Sequence, residues 1–160
     1  MQKTKVLFVC LGNICRSPLA EAVFNHKIEE KGLASTFFVD SCGTGDYHIG
    51  EQPDPRTIRN AQKNGIKINH CCRQLTVEDL SSFDYILAMD RSNLRNIISL
   101  DANSIFRNKI FLMRDFDPLG KGEEVPDPYF GGEEGFQHVF EILDRTMENF
   151  IDHLRKKIVN

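Results

Sequence analysis

The stretch "KVLFVCLGNICRSP", residues 5–18, decides how this chain folds. Its opening residues, 5–9, form an apolar run typical of a strand buried on both faces of a parallel sheet. Ser17 and Pro18 then favour a helix start, because proline is preferred at the first helical position. The turn from Cys10 to Arg16 therefore joins a buried strand to a helix.

The rest of the chain repeats this alternation of strand and helix. Further apolar runs predict strands at residues 36–40, 83–89 and 109–113. A first helical pattern runs from Ser17 to about Gly32, and a second follows "EQPDP" with Ile58 and Ala61 facing inward. Three further helical patterns cover residues 76–82, 91–100 and 136–158. We therefore predict an α/β fold, a doubly wound parallel sheet of four strands in the flavodoxin-like order 2-1-3-4, with helices on both faces.

Length and charge narrow the class of protein. The 160 residues, 41% of them hydrophobic, predict a single domain over residues 1–160. Twenty basic and 23 acidic residues give a net charge of -3 and no cationic stripe, so nucleic acid is not expected as a partner. The chain is expected to be monomeric.

Cysteine usage and the N-terminus point to the cytoplasm. The first apolar run is too short for a signal peptide, and no run is long enough to span a membrane. The five cysteines are an odd number without the paired spacing of a structural zinc site, so we expect reduced thiols and no metal.

The turn after the first strand has the composition of an anion site. Ligands of open α/β sheets bind beyond the carboxyl ends of the strands. Gly12 and Asn13 tolerate positive φ, so successive backbone N–H groups can face inward as a nest for an anion. The N-terminus of the following helix adds unpaired N–H groups, and Arg16 adds a planar fork for two oxygens. The sequence predicts a cradle for a phosphate-like dianion.

The same positive field acts on Cys10. Thiols at helix N-termini beside arginine ionise readily, which predicts a Cys10 thiolate facing a bound phosphoryl group. Attack by sulfur would give a cysteinyl-phosphate, and Ser17 could donate a hydrogen bond to that sulfur as it leaves. This chemistry requires no cofactor.

A proton donor is expected from the long loop "DFDPLGKGEEVPDPYFGG", residues 115–132. Asp127 is the best placed, because prolines on both sides fix its backbone; Asp115 and Asp117 are the alternatives. The neighbouring Tyr129 and Phe130, with Tyr47 from the loop after the second strand, could line a slot for a flat aryl group.

The nine residues Cys10 to Pro18 together with Asp127-Pro128-Tyr129 closely resemble the low-molecular-weight protein tyrosine phosphatases, and the resemblance covers essentially the whole chain. It implies hydrolysis of phosphotyrosine in proteins and of small aryl phosphates, with inorganic phosphate and similar oxyanions as inhibitors. It also implies Cys10 as nucleophile, Arg16 as phosphate binder, Ser17 as thiolate stabiliser and Asp127 as general acid and then base.

The resemblance assigns further residues around the loop. It implies that Asn13, Ser41 and His70 support the backbone of the phosphate loop, and that Cys15 can form a reversible disulfide with Cys10. The residues that match the substrate slot of the family are Leu11, Tyr47, Tyr129 and Phe130. Ile14 resembles the tyrosine phosphatases, whereas relatives acting on phosphoarginine tend to carry threonine there.

Other chemically active side chains receive a weaker interpretation. Cys42 and Cys71 are expected to be buried and inert, and Cys72 stands where the family has a smaller residue. Asp90 could be a partner of Arg16 or a helix cap. His48 receives no role.

Two other functions use the same cradle. An arsenate reductase would relay a disulfide through further cysteines, although Cys71 and Cys72 lie side by side rather than at the expected spacing. A redox sensor or phospho-ligand binding module would switch Cys10 and Cys15 without turnover, although such a protein has no need of Asp127.

Overall fold

The computed structural model describes residues 2–159. The strands are β1 (Thr4–Cys10), β2 (Phe37–Gly43), β3 (Tyr85–Ala88) and β4 (Ile110–Leu112). The helices are α1 (Arg16–Glu30), α2 (Pro55–Lys63), α3 (Val77–Ser82), α4 (Arg91–Leu100) and α5 (Glu133–Val159), with 3-10 turns at Arg107–Lys109 and Met113–Phe116.

The four strands form one parallel sheet in the order β2-β1-β3-β4, which confirms the predicted topology. In the register of β1 and β2, Cys10 is opposite Gly43. The strand order reverses beside β1, so the end of β1 lies at the switch point where ligands of such sheets bind. Cys10 is the last residue of that strand.

Alternating side chains of β1 pack on opposite faces of the sheet, as strand geometry requires. Phe8 lies in the core shared with α1, α2 and α5, where it contacts the aromatic rings of Phe24 and Phe150. Leu7 lies in the second core, beneath α3 and α4. Helices therefore cover both faces, as predicted.

Several element boundaries differ from the sequence prediction. Helix α1 begins at Arg16, one residue before the predicted start at Ser17, so Pro18 is the third residue of the helix. Strand β2 continues past Asp40 to Gly43, because Ser41, Cys42 and Gly43 are buried and stay paired with the last residues of β1. In α2 Ile58 is only half-buried, and Thr57 and Asn60 take the inward positions beside Ala61.

No helix among residues 2–159 is long and apolar enough to cross a membrane.

Candidate active site

A cavity of about 370 Å³ opens at the carboxyl end of β1. The loop from Cys10 to Arg16 forms its floor, and Asp127 lies at its rim. The other side chains that line it are Tyr47, His48, Tyr129 and Phe130. The structure thus brings together, from three separate segments, most of the residues that the sequence singled out.

The carbonyl groups of the loop point away from this cavity. Those of Cys10 and Leu11 accept hydrogen bonds from the N–H groups of Thr44 and Gly45, at 2.8 and 2.9 Å. The carbonyl of Ile14 accepts from the N–H of Asp54 at 2.9 Å, and that of Asn13 accepts from the thiol of Cys72 at 2.9 Å.

The orientation of these carbonyls fixes the direction of the loop amides. All peptide bonds described are trans, and in a trans peptide the N–H points opposite to the C=O. The N–H groups of Leu11, Gly12, Ile14 and Cys15 are therefore directed toward the cavity. Helix α1 also has no side-chain cap at its N-terminus, so its first N–H groups remain available to an anion.

Asn13 supplies the unusual backbone conformation of the loop. Its φ of 58° lies in the left-handed region, whereas Gly12 has an ordinary φ, so the expectation of positive φ holds for Asn13 alone. The Asn13 amide is fully buried, and its Nδ2 donates to Ser17 Oγ at 2.8 Å and to Ser41 Oγ at 3.1 Å. These bonds stabilise a conformation that a side chain rarely adopts.

A polar cluster behind the loop holds Asn13 from the other side. His70 Nε2 is 2.7 Å from Asn13 Oδ1, and its Nδ1 is 3.1 Å from Glu21 and 3.7 Å from Asp40. Glu21, Asp40 and His70 place potential metal-ligand atoms within 4.8 Å of one another. Because His70 contacts Glu21 through one ring nitrogen and Asn13 through the other, we interpret the cluster as support for Asn13.

The Cys10 sulfur lies at the base of the cradle. Ser17 Oγ is 3.0 Å from Cys10 Sγ, which is the contact that the sequence predicted between the two side chains. Both residues are buried. The sulfur therefore lies beside the uncapped N-terminal end of α1 and within hydrogen-bond distance of a hydroxyl group.

Three other buried cysteines lie in surroundings that disfavour ionisation of the thiol. Burial raises the pKa of Cys15 to about 12, and the charge of Asp54 adds to that effect. Burial also raises the pKa of Cys72 to about 11 and that of Cys42 well above its ordinary value. These three side chains are protonated thiols at neutral pH. The prediction of an inert, buried Cys42 agrees with this, but Cys71 is exposed, contrary to expectation.

Arg16 is buried and held in a fixed orientation. Its Nη1 donates to Asp90 Oδ2 at 2.7 Å and to the carbonyl of Val125 at 3.0 Å. Burial lowers the pKa of Arg16, but the charges of Cys10 and Asp90 outweigh burial and the pKa is raised. With Nη1 occupied, Nε and Nη2 form the fork available to an oxyanion.

Asp90 fills both of the roles considered for it. One carboxylate oxygen accepts from Arg16, while the other accepts from the N–H of Asn93 at 2.8 Å and caps α4. The same residue therefore fixes the arginine and the start of a helix.

Asp127 is the aspartate of the long loop that reaches the cavity. Its Oδ1 accepts from the N–H of Tyr129 at 3.0 Å, and its Oδ2 is 3.7 Å from Arg16 Nη2. The side chain is 45% exposed and is therefore accessible from the cavity and from solvent. Asp117 is instead buried in ion pairs with Arg114 and Arg145, and Asp115 accepts from the N–H of Leu112.

The walls of the cavity are apolar and open to solvent. Leu11 and Tyr129 are 44% and 39% exposed, Tyr47 is 67% exposed, and Phe130 is almost fully exposed at 95%. Tyr129 and Phe130 pack against each other edge to face, with ring centroids 5.0 Å apart. Exposed aromatic rings above an anion site suit a flat apolar group attached to a phosphate.

Sequence reasoning missed several residues that shape the site. A Cβ on Gly43 would lie 2.7 Å from the carbonyl oxygen of Leu11, so only glycine lets β2 approach the loop this closely. Glu21, Cys72 and Asp54 support the loop from elements distant in sequence, and His48 lines the cavity. No local pattern marks such residues, because each contacts the loop only after the sheet has formed.

A parallel α/β sheet whose first strand ends in a cysteine, followed by an anion-binding loop and an arginine at the start of a helix, defines a class of cysteine-dependent oxyanion-binding proteins. The family model described as "Low molecular weight phosphotyrosine protein phosphatase" matches residues 5–160. The chain therefore belongs to the low molecular weight phosphotyrosine protein phosphatase family, as its resemblance predicted.

Individual relatives agree with this assignment. The low molecular weight phosphotyrosine protein phosphatase of Schizosaccharomyces pombe is 48% identical over 148 residues, 92% of this chain and 94% of the relative. A protein tyrosine phosphatase from Entamoeba histolytica, solved with Hepes in its active site, has a TM-score of 0.93 and 42% identity, covering 97% and 99% of the two chains. An arginine phosphatase of Drosophila has a TM-score of 0.88 and 34% identity, covering 94% and 98%.

Proposed function

We propose that this phosphatase hydrolyses phosphotyrosine in proteins, and small aryl phosphates, through a cysteinyl-phosphate intermediate. The observation that carries the proposal is that four carbonyl groups of the loop around Cys10 accept hydrogen bonds on the side away from the cavity. It leaves a ring of N–H groups facing the cavity, the arrangement that stabilises charge on a transferring phosphoryl group.

In the first step, the Cys10 thiolate attacks phosphorus in line with the ester oxygen. The S–P bond forms as the P–O bond to the aryl group breaks, and protonated Asp127 donates its proton to the departing oxygen. The loop N–H groups and Arg16 hold the three equatorial oxygens. The products are a cysteinyl-phosphate and a phenol.

In the second step, water attacks the phosphorus of the intermediate. Asp127, now a carboxylate, takes a proton from that water, and the P–S bond breaks to release phosphate and restore the thiolate. Ser17, 3.0 Å from the sulfur, donates a hydrogen bond that stabilises the leaving thiolate. Both steps use only protein groups and water.

The walls of the cavity favour phosphotyrosine over phosphoarginine. Ile14, Tyr47, Tyr129 and Phe130 offer apolar contacts to an aromatic ring, and no carboxylate other than Asp127 lines this cavity to pair with a guanidinium in the part of the chain described. The similarity to a Drosophila arginine phosphatase makes phosphoarginine the substrate to compare.

A metal-independent assay tests the proposed function. The reduced protein should release nitrophenolate from para-nitrophenyl phosphate in the presence of EDTA, and should dephosphorylate a phosphotyrosine peptide faster than the matching phosphoarginine peptide. Absence of nitrophenolate release would refute the mechanism. Faster cleavage of phosphoarginine would refute the substrate assignment while leaving the mechanism intact.

A thiol-relay arsenate reductase fits the site less well. Such a relay needs further reactive cysteines near Cys10, whereas Cys15, Cys42 and Cys72 are thiols whose pKa is raised by burial. Arsenate-dependent consumption of reduced thioredoxin would support the relay instead.

We also infer the surroundings in which the enzyme works. Phosphate and similar oxyanions should inhibit competitively, because they fill the cradle. Five free cysteines are consistent with a reducing compartment, which supports the cytoplasm as its location. We further propose that residues 1–160 act as one domain and as a monomer.

Arg16→Lys should lower kcat/KM for para-nitrophenyl phosphate by about 10²- to 10³-fold, the usual effect of losing a transition-state donor. A lysine ammonium cannot hold Asp90 and the Val125 carbonyl and also present a two-pronged donor to phosphate. Arg155→Lys, an exposed substitution on α5, is the control and should leave the kinetics unchanged. Near-parental activity of Arg16→Lys would contradict the bidentate role.

A further inference from the structure

A second cavity lies beside the active site and is lined by cations. Its volume is about 310 Å³, and we call it the basic groove. The groove is formed by one face of α2 and by the start of α5, and its lining residues are Arg56, Arg59, Lys63, Gly131, Gly132, Glu133 and Phe136.

The basic groove and the active-site cavity share a wall. Tyr129 and Phe130 line the active site, while Gly131 and Gly132, the next two residues, line the groove. Two consecutive residues advance the chain by at most about 7 Å, so the two cavities are neighbours. The Arg56 guanidinium lies over the rings of Tyr129 and Phe136, at 5.2 and 4.8 Å, and fixes this wall.

The three cations differ in how strongly they are held. Arg56 is paired with Asp54 through two hydrogen bonds between their side chains. Lys63 forms an exposed ion pair with Glu133, and such pairs contribute little and exchange readily with other partners. Arg59 is exposed and forms no ion pair with any residue in the range 2–159. Arg59 and Lys63 are therefore available to an outside anion.

The spacing of these side chains indicates an extended acidic ligand. Positions 56, 59 and 63 are three and four residues apart, so the side chains lie on one helix face along about 10 Å of axis. About three residues of an extended peptide cover the same length. A run of carboxylates along such a segment could meet several of these cations at once. Since the whole chain carries a net charge of -3, this local positive surface is not a consequence of overall charge.

We propose that the basic groove binds acidic residues flanking the phosphotyrosine of a protein substrate, and so selects phosphoproteins with an acidic segment beside the modified tyrosine. This inference rests on the proposed function, because it assumes that the phosphorylated side chain occupies the neighbouring cavity. With the phosphate held at Cys10, a flanking segment only a few residues long reaches Arg59 and Lys63.

The test compares phosphotyrosine peptides of equal length that carry three glutamates or three glutamines, on either the N-terminal or the C-terminal side. The glutamate peptide of one pair should have a kcat/KM about 5- to 20-fold higher at low salt, as two or three exposed ion pairs would give. High salt should remove most of this preference because it screens exposed charges. Equal kcat/KM within both pairs would overturn the inference.

Variants of Arg59 test whether the preference for glutamate peptides arises in the basic groove. Arg59→Gln should reduce the preference and Arg59→Glu should abolish or reverse it, while hydrolysis of para-nitrophenyl phosphate stays unchanged in both. Arg155→Glu is the matched control, because this exposed arginine lies about 33 Å along α5 from Glu133 and should leave the preference intact. A preference that survives in Arg59→Glu would refute the assignment to the groove.

The small substrate separates the two hypotheses. If the parent protein cleaves para-nitrophenyl phosphate but has equal kcat/KM for the glutamate and glutamine peptides, the inference about the basic groove is wrong and the proposed function stands. If para-nitrophenyl phosphate is not cleaved, the proposed function itself has failed.

Discussion

Cys10→Ser is expected to reduce turnover of para-nitrophenyl phosphate by roughly 10⁴-fold or more, the range seen when a covalent nucleophile is removed. A serine hydroxyl in the same position stays protonated at neutral pH and cannot attack phosphorus without a base beside it. The nearest side-chain partner of Cys10 is Ser17, at 3.0 Å, and a second hydroxyl cannot act as that base. The measurement is kcat for para-nitrophenyl phosphate, with a reductant present to keep the thiols reduced.

The cradle itself should survive this substitution. Its N–H groups are oriented by backbone carbonyls bonded to Thr44, Gly45, Asp54 and Cys72, and none of these bonds involves the Cys10 sulfur. Binding of inorganic phosphate, measured by calorimetry, should therefore remain close to that of the parent. Cys71→Ser, at an exposed thiol, is the control and should retain full activity. Appreciable turnover by Cys10→Ser would remove the sulfur from the mechanism.

Asp127→Asn is expected to slow hydrolysis of phenyl phosphate by about 10²- to 10⁴-fold, the usual contribution of a general acid. Esters with an activated leaving group should lose far less, because a stable phenolate departs without a proton. Asparagine has nearly the same shape but no acidic proton to give. The check is a plot of log kcat/KM against leaving-group pKa, whose slope should become steeper in the variant.

Asp115→Asn provides the matched control for this experiment. Asp115 belongs to the same loop but accepts a hydrogen bond from the Leu112 N–H, at 3.2 Å, and does not line the cavity. Its variant should keep the parental slope. If Asp127→Asn slows all leaving groups equally, then Asp127 is not the acid and another proton donor must be sought.

The hydrogen bonds of Asn13 explain how the loop combines strain with rigidity. A non-glycine residue at positive φ costs free energy, and the surrounding structure must offset it. Here a buried amide is satisfied by Ser17, Ser41 and His70, and the last of these is oriented by Glu21. The amides of the cradle are therefore already in place before a phosphate arrives, which avoids reorganisation during the reaction.

The fold class and the residues of the phosphate-binding loop could be predicted from local patterns in the sequence. Apolar runs separated by amphipathic segments predicted the four strands, because strand and helix periodicity are properties of short segments. Their alternation with helices implied right-handed crossovers and a doubly wound parallel sheet, which the structure has. Cys10, Arg16 and Ser17 are neighbours in the sequence, so their juxtaposition at the start of α1 required no long-range information. Element ends were less accurate: β2 extends to Gly43 because its backbone pairs with β1 as far as Cys10, a long-range contact that no local pattern marks.

The supporting contacts could not be predicted in this way. His48 was given no role and Cys71 was expected to be buried, yet His48 lines the cavity and Cys71 is exposed. Whether a side chain faces the loop or the solvent depends on how segments pack, and the immediate neighbours in the sequence do not encode it. The same holds for Cys72, whose thiol donates to a carbonyl 59 residues earlier in the chain.

The amino-acid sequence by itself determined the α/β architecture, the position of the anion-binding turn and the family to which the chain belongs. Only the tertiary structure decided that Asp90 both holds Arg16 and caps α4, which partners turn the loop carbonyls outward, and that a basic groove adjoins the active site. The physical reason is the distance along the chain over which each effect acts. Backbone preferences and hydrophobic periodicity act over a few residues. Hydrogen bonds and charges act through space, between segments that meet only when the chain has folded.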